Sequence, residues 1–118
     1  MLAKPDRLRS RSDFRQVYGR GVSAAGDCLV VYVWLSGRAG RRLGISVSRR
    51  VGQAVTRNLV KRQLRAVFRT LADLLPAGAE VVIVARTAAA EADYHKMEKE
   101  MRNLLKNITS RQKQAARP

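Results

Sequence analysis

The chain has almost none of the side chains with which proteins do chemistry of their own. A single cysteine, Cys28, excludes an internal disulfide and a cysteine-rich zinc site. Placed in an apolar run, it reads as a small core or strand residue. A single histidine, His95, has no second histidine for acid–base work and falls on the exposed side of a polar helix. The carboxylates stand singly, and there is no nucleophile motif, phosphate-binding glycine loop or dinucleotide fingerprint. No catalytic residue and no metal ligand is therefore assigned to the chain. The longest apolar run, Cys28 to Leu35, is far too short to span a bilayer. The opening MLAKPDRLRSR lacks the apolar stretch of a signal peptide. A cytoplasmic protein without a membrane partner is expected.

Negative charge is the other scarcity. Nine Asp and Glu face 24 Lys and Arg, a formal net charge of +15. Such an excess repels itself in the compact state and attracts polyanions. From Cys28 to Ala72 there is no acid, but there are ten bases: Arg38, Arg41, Arg42, Arg49, Arg50, Arg57, Lys61, Arg62, Arg65 and Arg69. A solubilising surface intersperses both signs, so a block of one sign inside a folded region argues for a binding face. Nucleic acid fits best. An anionic membrane surface and plain solubility are the alternatives. Arg heavily outnumbers Lys; its planar fork suits phosphates, although genomic base composition also raises Arg usage.

What is present is enough for one domain and one modest core. Residues 1–10 read as a basic extended arm broken by Pro5, and residues 110–118 as a polar basic tail, leaving one domain within 1–109. Ser12 is the expected N-cap of a short helix through Phe14, Val17 and Tyr18 that stops at Gly19 or Gly21. Val22 to Ala25 reads as a short edge strand. Cys28 to Leu35 reads as a strand with Val30, Tyr32 and Trp34 on one face and Leu29, Val31, Val33 and Leu35 on the other. The turn segment Ser36 to Arg41 leads to a strand over Arg42 to Ser48, and the two are expected to pair as a hairpin. After Gly52, with Thr56 as N-cap, a helix is expected from Arg57 to about Leu75, carrying Val60, Leu64, Val67, Leu71 and Leu74 as one apolar stripe. Pro76 and Gly78 end it. Glu80 to Arg86 is a buried strand, and Ala90 to about Ile108 a last helix. The strand–helix–strand unit implies a parallel pair in a mixed sheet, with helices on one side and an open face on the other.

At about 100° per residue, with Arg57 at zero, Lys61, Arg65 and Arg69 fall near 40°, 80° and 120°. Asn58 lies near 100° and Arg62 near 140°, while the apolar stripe occupies about 260° to 340°. One helix thus carries a core face and a continuous cationic face able to neutralise several phosphates without reading sequence. Arg49 and Arg50 precede the loop glycine Gly52, next to a helix N-terminus whose free N–H groups suit a phosphate. The plainer alternative is a solvated basic face and an ordinary turn. Phe14 and Tyr18 share a helix face that can meet Val30 and Tyr32, flanked by Arg9, Arg11 and Arg15. They read either as a stacking platform for single-stranded nucleic acid or as core staples. Trp34 is expected to pack, with its indole N–H reaching a partner near the strand end.

Leu43 to Arg69, LGISVSRRVGQAVTRNLVKRQLRAVFR, closely resembles the signature region of bacterial ribonuclease P protein subunits. The pattern there is a strand ending in V-S-K/R-K/R, a G-x-A-V loop, and R-N-x-x-K-R-x-x-R on a helix. Val47-Ser48-Arg49-Arg50, Gly52-Gln53-Ala54-Val55, Arg57-Asn58, Lys61-Arg62 and Arg65 match it in spacing throughout. RLRSRSDFRQVYGRG resembles the family's first helix and VVIVAR its last strand, so the likeness runs from about Arg7 to Leu105. One departure is Leu59, where most members carry a third basic residue.

The resemblance implies an α+β, single-domain α–β sandwich of order α-β-β-β-α-β-α, with a mixed four-stranded sheet and a left-handed βαβ crossover. It implies an endoribonuclease that is a ribonucleoprotein, its RNA catalytic, which removes the 5′ leader of precursor transfer RNA. Arg49, Arg50, Arg57, Asn58, Lys61, Arg62 and Arg65 would contact the catalytic RNA. Phe14, Tyr18, Val30 and Tyr32 would line the cleft for the single-stranded leader. Magnesium is expected, bound mainly by the RNA, and no protein partner is required. The class left open beside it is a non-catalytic structural RNA-binding protein of the ribosomal type.

Overall fold

A computed structural model describes residues 7–115, with side chains through residue 112. Residues 1–6 of the expected arm and 116–118 of the expected tail lie outside the described residues. The elements are α1 (Arg11–Arg20), β1 (Val22–Ala25), β2 (Leu29–Leu35), β3 (Arg42–Val47), α2 (Ala54–Leu71), β4 (Ala79–Ala85) and α3 (Tyr94–Ala115), in the expected order. Short 3-10 turns at Arg49–Val51, Ala72–Leu74 and Thr87–Glu91 join them.

The strands form one mixed sheet in the order β1-β2-β4-β3. β2 pairs antiparallel with β1 and β4, and β3 runs parallel to β4 across α2. The hairpin expected between β2 and β3 is not formed. β4 (AEVVIVA) has six of seven residues buried. A strand that apolar belongs at the sheet centre, and there it separates β2 from β3. The turn segment instead closes against the β4 entry, where Ser36 N–H donates to the Gly78 carbonyl at 3.0 Å and Gly78 N–H to that of Gly40 at 2.7 Å.

One face of the sheet, with Leu29, Val31, Val33, Leu43, Val81 and Ile83, packs under α2 and α3 as the main core. Val60, Leu64, Val67, Phe68 and Leu71 of α2 and Met97, Met101, Leu104, Leu105 and Ile108 of α3 complete it. The expected open face is not open: α1 lies on it. Val17 and Leu8 bury there against Val82, with Phe14, Tyr32, Trp34 and Val84 packed around them. Leu8 N–H donates to the Leu43 carbonyl at 3.0 Å, so the arm enters the fold at its last residues.

Several boundaries move for local reasons. Ser10, not Ser12, caps α1. Its hydroxyl accepts from Asp13 N–H at 3.0 Å, and the Asp13 carboxylate accepts in return from Ser10 N–H at 3.4 Å. Three residues beyond Ser12 stands Arg15, which cannot close such a box. α2 starts at Ala54 with Gln53 as N-cap, one turn before Thr56. Arg57 N–H already finds the Gln53 carbonyl at 2.9 Å, which places Thr56 inside the first turn. At the other end the helix tightens into a 3-10 turn, so Leu75 is buried where Leu74 was expected and Leu74 faces out. α3 starts at Tyr94, four residues after Ala90, because Asp93 accepts from Lys96 N–H at 2.8 Å. It continues past Ile108 into the expected tail, where Arg111 donates to the Ser23 carbonyl. Cys28 is buried just before β2, and burial together with the nearby Glu100 carboxylate pushes its thiol pKa up.

Candidate nucleic-acid interface

The core stripe of α2 decides where its cations go. With Val60, Leu64, Val67, Phe68 and Leu71 buried, Arg57, Asn58, Lys61, Arg62, Arg65 and Arg69 are left on the outer side, exposed or half-buried. Val51 is buried and pins the 3-10 turn ahead of the helix, and Arg49 and Arg50 beside it are exposed. A Cβ at Gly52 would lie 3.0 Å from the Thr56 side chain, so glycine lets the turn close on the first turn of α2. That first turn has no side-chain cap, which leaves its N–H groups facing outward beside Arg49 and Arg50. Among the described residues none of these seven cations forms an ion pair with an acid.

Two members of the one-sign block are structural. Arg41 donates through Nε and Nη2 to the Leu75 carbonyl at 2.9 and 2.7 Å, closing the end of the 3-10 turn after α2. Arg42 pairs with the buried Glu80 of β4. Since β3 carries the chain from Arg42 to Val47, Arg38 and Arg41 stand at the opposite end of the strand from Arg49. The cationic face is therefore the turn after β3 and the outer side of α2.

On the other face, α1 crosses the sheet and leaves part of it uncovered. The tip of the Phe14 ring meets β3 at Gly44, where a Cβ would sit 2.6 Å from its Cζ. Tyr18 meets Tyr32 edge-on, with ring centroids 4.8 Å apart, and stands 6.4 Å from Phe14 in a tilted pair. Tyr18 remains 40% exposed, and Phe14, Val30 and Tyr32 are half-buried. Ser46, Val84 and Val30 are neighbours in register and form the next row of the sheet, also half-buried. Burial and the adjacent Tyr32 push the Tyr18 phenol pKa up, against a hydrogen bond with Ser46. A depression of about 370 Å³ is lined by Arg9, Ser10, Arg11, Phe14, Arg15 and Tyr18, which puts the flanking arginines beside the aromatics.

The four residues expected in the cleft lie on this one face: Phe14 packs against the small core there, while Tyr18 keeps ring surface exposed. The cleft and the cationic face also meet. Arg65 of α2 reaches the crevice at the β3 edge that Arg7, Phe14 and Gly44 line. Gly44, Ser46 and Val84 were not singled out from the sequence. A glycine inside a strand was the available signal for Gly44, since it marks close approach of another group. For Trp34, the contact observed is the Arg20 guanidinium 5.3 Å over the ring, not a hydrogen bond from the indole.

Comparison with known proteins identifies the family. The family model described as Ribonuclease P matches residues 2–109. The chain belongs to the ribonuclease P protein family. It is 40% identical over 106 residues to the ribonuclease P protein component of Caldanaerobacter subterraneus, covering 90% of this chain and 91% of that one. The component from Desulforamulus reducens is 38% identical, with 90% and 94% covered. The ribonuclease P protein structure from Thermotoga maritima superposes with a TM-score of 0.77 at 35% identity, covering 86% of this chain and 96% of that one. Ribonuclease P membership decides between the two RNA-binding classes, and the ribosomal reading is set aside.

Proposed function

We propose that this chain holds two RNAs at once, the catalytic RNA of ribonuclease P along α2 and its preceding turn, and the 5′ leader of precursor transfer RNA in the cleft beneath α1. The family's function is maturation of transfer RNA 5′ ends, and the chain is part of an endoribonuclease holoenzyme built on ribonuclease P RNA. In our reading the two surfaces differ in job. Arg49, Arg50, Arg57, Lys61, Arg62 and Arg65 neutralise phosphates of a folded RNA, with Asn58 as a polar contact among them. Phe14, Tyr18, Val30 and Tyr32 offer apolar and aromatic surface to unpaired bases, with Arg9, Arg11 and Arg15 on the strand's phosphates.

The observation that carries this is the meeting of the two surfaces at the β3 edge, where Arg65 and Phe14 line one crevice. A substrate strand in the cleft is then delivered beside the bound RNA. Bond cleavage belongs to the RNA in this reading. Magnesium would be held mainly by RNA phosphates and would supply the hydrolytic chemistry there, with no residue of this chain assigned as its ligand. Among the described residues no three His, Cys, Asp or Glu side chains gather where they could hold a metal ion.

The test is reconstitution of the holoenzyme with the host's catalytic RNA. The chain should lower the magnesium needed for cleavage, and precursor affinity should rise with leader length. Tyr32→Ala should cost about tenfold in affinity for a leader-bearing precursor, the scale of one lost base stack. Affinity that ignores leader length would remove the leader from the cleft.

A further inference from the structure

Among the described residues Glu80 is the one charged residue in the buried core, 2% exposed at the start of the central strand β4. Neither RNA surface uses it. Its side chain lies on the α1 side of the sheet, between Arg42 of β3 and Trp34 of β2 in register. Arg42 donates to Glu80 Oε1 through Nε at 3.0 Å and also through Nη2. Glu80 Oε2 has no hydrogen-bond partner among the described residues. The buried carboxylate is thus compensated by one side chain, and a buried charge that loses its partner is strongly unfavourable, so Arg42 is pinned. The same Nη2 lies 3.6 Å from Asp13 Oδ1, and Asp13 closes the capping box at the start of α1. At the far end of α1, Arg20 lies over Trp34, the other neighbour of Glu80. α1 is therefore fastened at both ends to one row of the sheet whose middle member is Glu80. Phe14, one residue after Asp13, and Tyr18, one turn further on, take their places from that attachment.

We propose that Glu80 is a positioning residue for the leader: through Arg42 and Asp13 it fixes where α1 crosses the sheet, and so sets the width of the cleft between Phe14, Tyr18 and Tyr32. This rests on the leader-cleft reading above. A carboxylate retained only to stabilise the strand could be replaced by an apolar residue, whereas this one ties a helix outside the main core to a strand at the sheet centre.

The experiment uses the reconstituted holoenzyme with Glu80→Gln, which keeps the shape and loses the charge. Affinity for a leader-bearing precursor should fall about fivefold, within the range of coupled neighbours. Affinity for mature transfer RNA, affinity for the catalytic RNA, and kcat at saturating precursor should stay unchanged. Glu80→Asp, which keeps the charge, should restore most of the loss. Asp13→Asn should give a leader-specific loss of its own, and the double variant should lose less than the product of the two. Equal losses with and without leader, or losses that multiply, would overturn the proposal by showing that Glu80 acts on the fold at large. If Glu80→Gln does not fold, Asp13→Asn decides alone: a leader-specific loss supports the link, and unchanged leader affinity overturns it. Phe14→Ala separates this proposal from the cleft itself. If it weakens leader binding while Glu80→Gln does not, the cleft stands and the positioning role falls. If neither variant matters, both fall.

Discussion

The two faces of the sheet offer a polyanion opposite kinds of surface. On the α2 side the core is deep, the outer surface is cationic, and the large exposed apolar side chains, Leu35, Val55, Leu59 and Leu74, are aliphatic rather than aromatic. On the α1 side the core is a small cluster of three buried residues, and four aromatic rings, Phe14, Tyr18, Tyr32 and Trp34, stay partly open. The first surface suits a partner whose shape is already fixed, because a rigid row of charges gains most from phosphates that are likewise held in place. The second suits a flexible strand, because ring faces accept any base and charge alone does not fix the position of a mobile chain. Sharing one sheet between them gives each surface a rigid floor and brings the two within reach at β3.

Removing charge should break the comparison most severely. Arg57→Ala, Lys61→Ala and Arg62→Ala together should lower affinity for the catalytic RNA by about 100-fold or more near physiological salt, and flatten the dependence of log affinity on log salt by about 2 to 3. Filter binding across a salt series measures both. An unchanged slope would mean that these residues do not face phosphates. Geometry is the next lever. Gly44→Ala places a methyl group 2.6 Å from the Phe14 ring, which must lift. Leader-bearing precursor should bind about fivefold more weakly, and thermal unfolding should show a loss of about 1–2 kcal/mol, in the range of overpacked sites. Binding to the catalytic RNA should not change, because Gly44 faces away from α2. Equal loss on both RNAs would show that the two surfaces are not separable.

How far the sequence revealed this depended on whether a feature was local. The outer face of α2 was legible because helical periodicity decides which side of a helix is buried, and Val60, Leu64, Val67 and Leu71 left no choice for Arg57, Lys61 and Arg65. That Phe14 and Tyr18 share a face of α1 and Val30 and Tyr32 a face of β2 was legible for the same reason, from the period of a helix and that of a strand. Strand order was not. Whether β3 follows β2 as a hairpin or stands two places away depends on where β4 inserts, some thirty residues later, and only the burial of both its faces and edges decides that. Arg42 was counted among the free cations because its partner Glu80 is 38 residues away in the chain. Leu8 was lost in a basic arm, since one leucine between arginines carries no period.

A smaller effect tests the cationic row at its gap. Leu59 is 48% exposed on α2, between Asn58 and the buried Val60, an uncharged position among the cations. Leu59→Lys should strengthen binding to the catalytic RNA about threefold and steepen the salt dependence by about 1, the increment for one added phosphate contact. If affinity rises without a change in slope, the gain does not come from a phosphate.

The smallest effect lies at the start of α1. Burial disfavours the Asp13 charge, but the N–H groups of Arg9 and Ser10, the Arg42 charge and the Ser10 hydroxyl outweigh it, and the carboxyl titrates below its ordinary value. A carboxylate whose pKa is lower in the folded than in the unfolded chain contributes stability that is complete above the unfolded value, about 3.9, and is lost as pH falls through the folded one. The wild type should therefore lose part of its stability on acidification below about pH 4, by a step that Asp13→Asn abolishes. Thermal melts between neutral pH and pH 3 would measure it. The comparison makes the location informative: on the α2 side Thr56 and Gln53 offer no titrating cap, so a neutral probe there should show no matching step. If the acid-sensitive step survives in Asp13→Asn, the group responsible lies elsewhere, and the attachment of α1 is not what gives way first in acid.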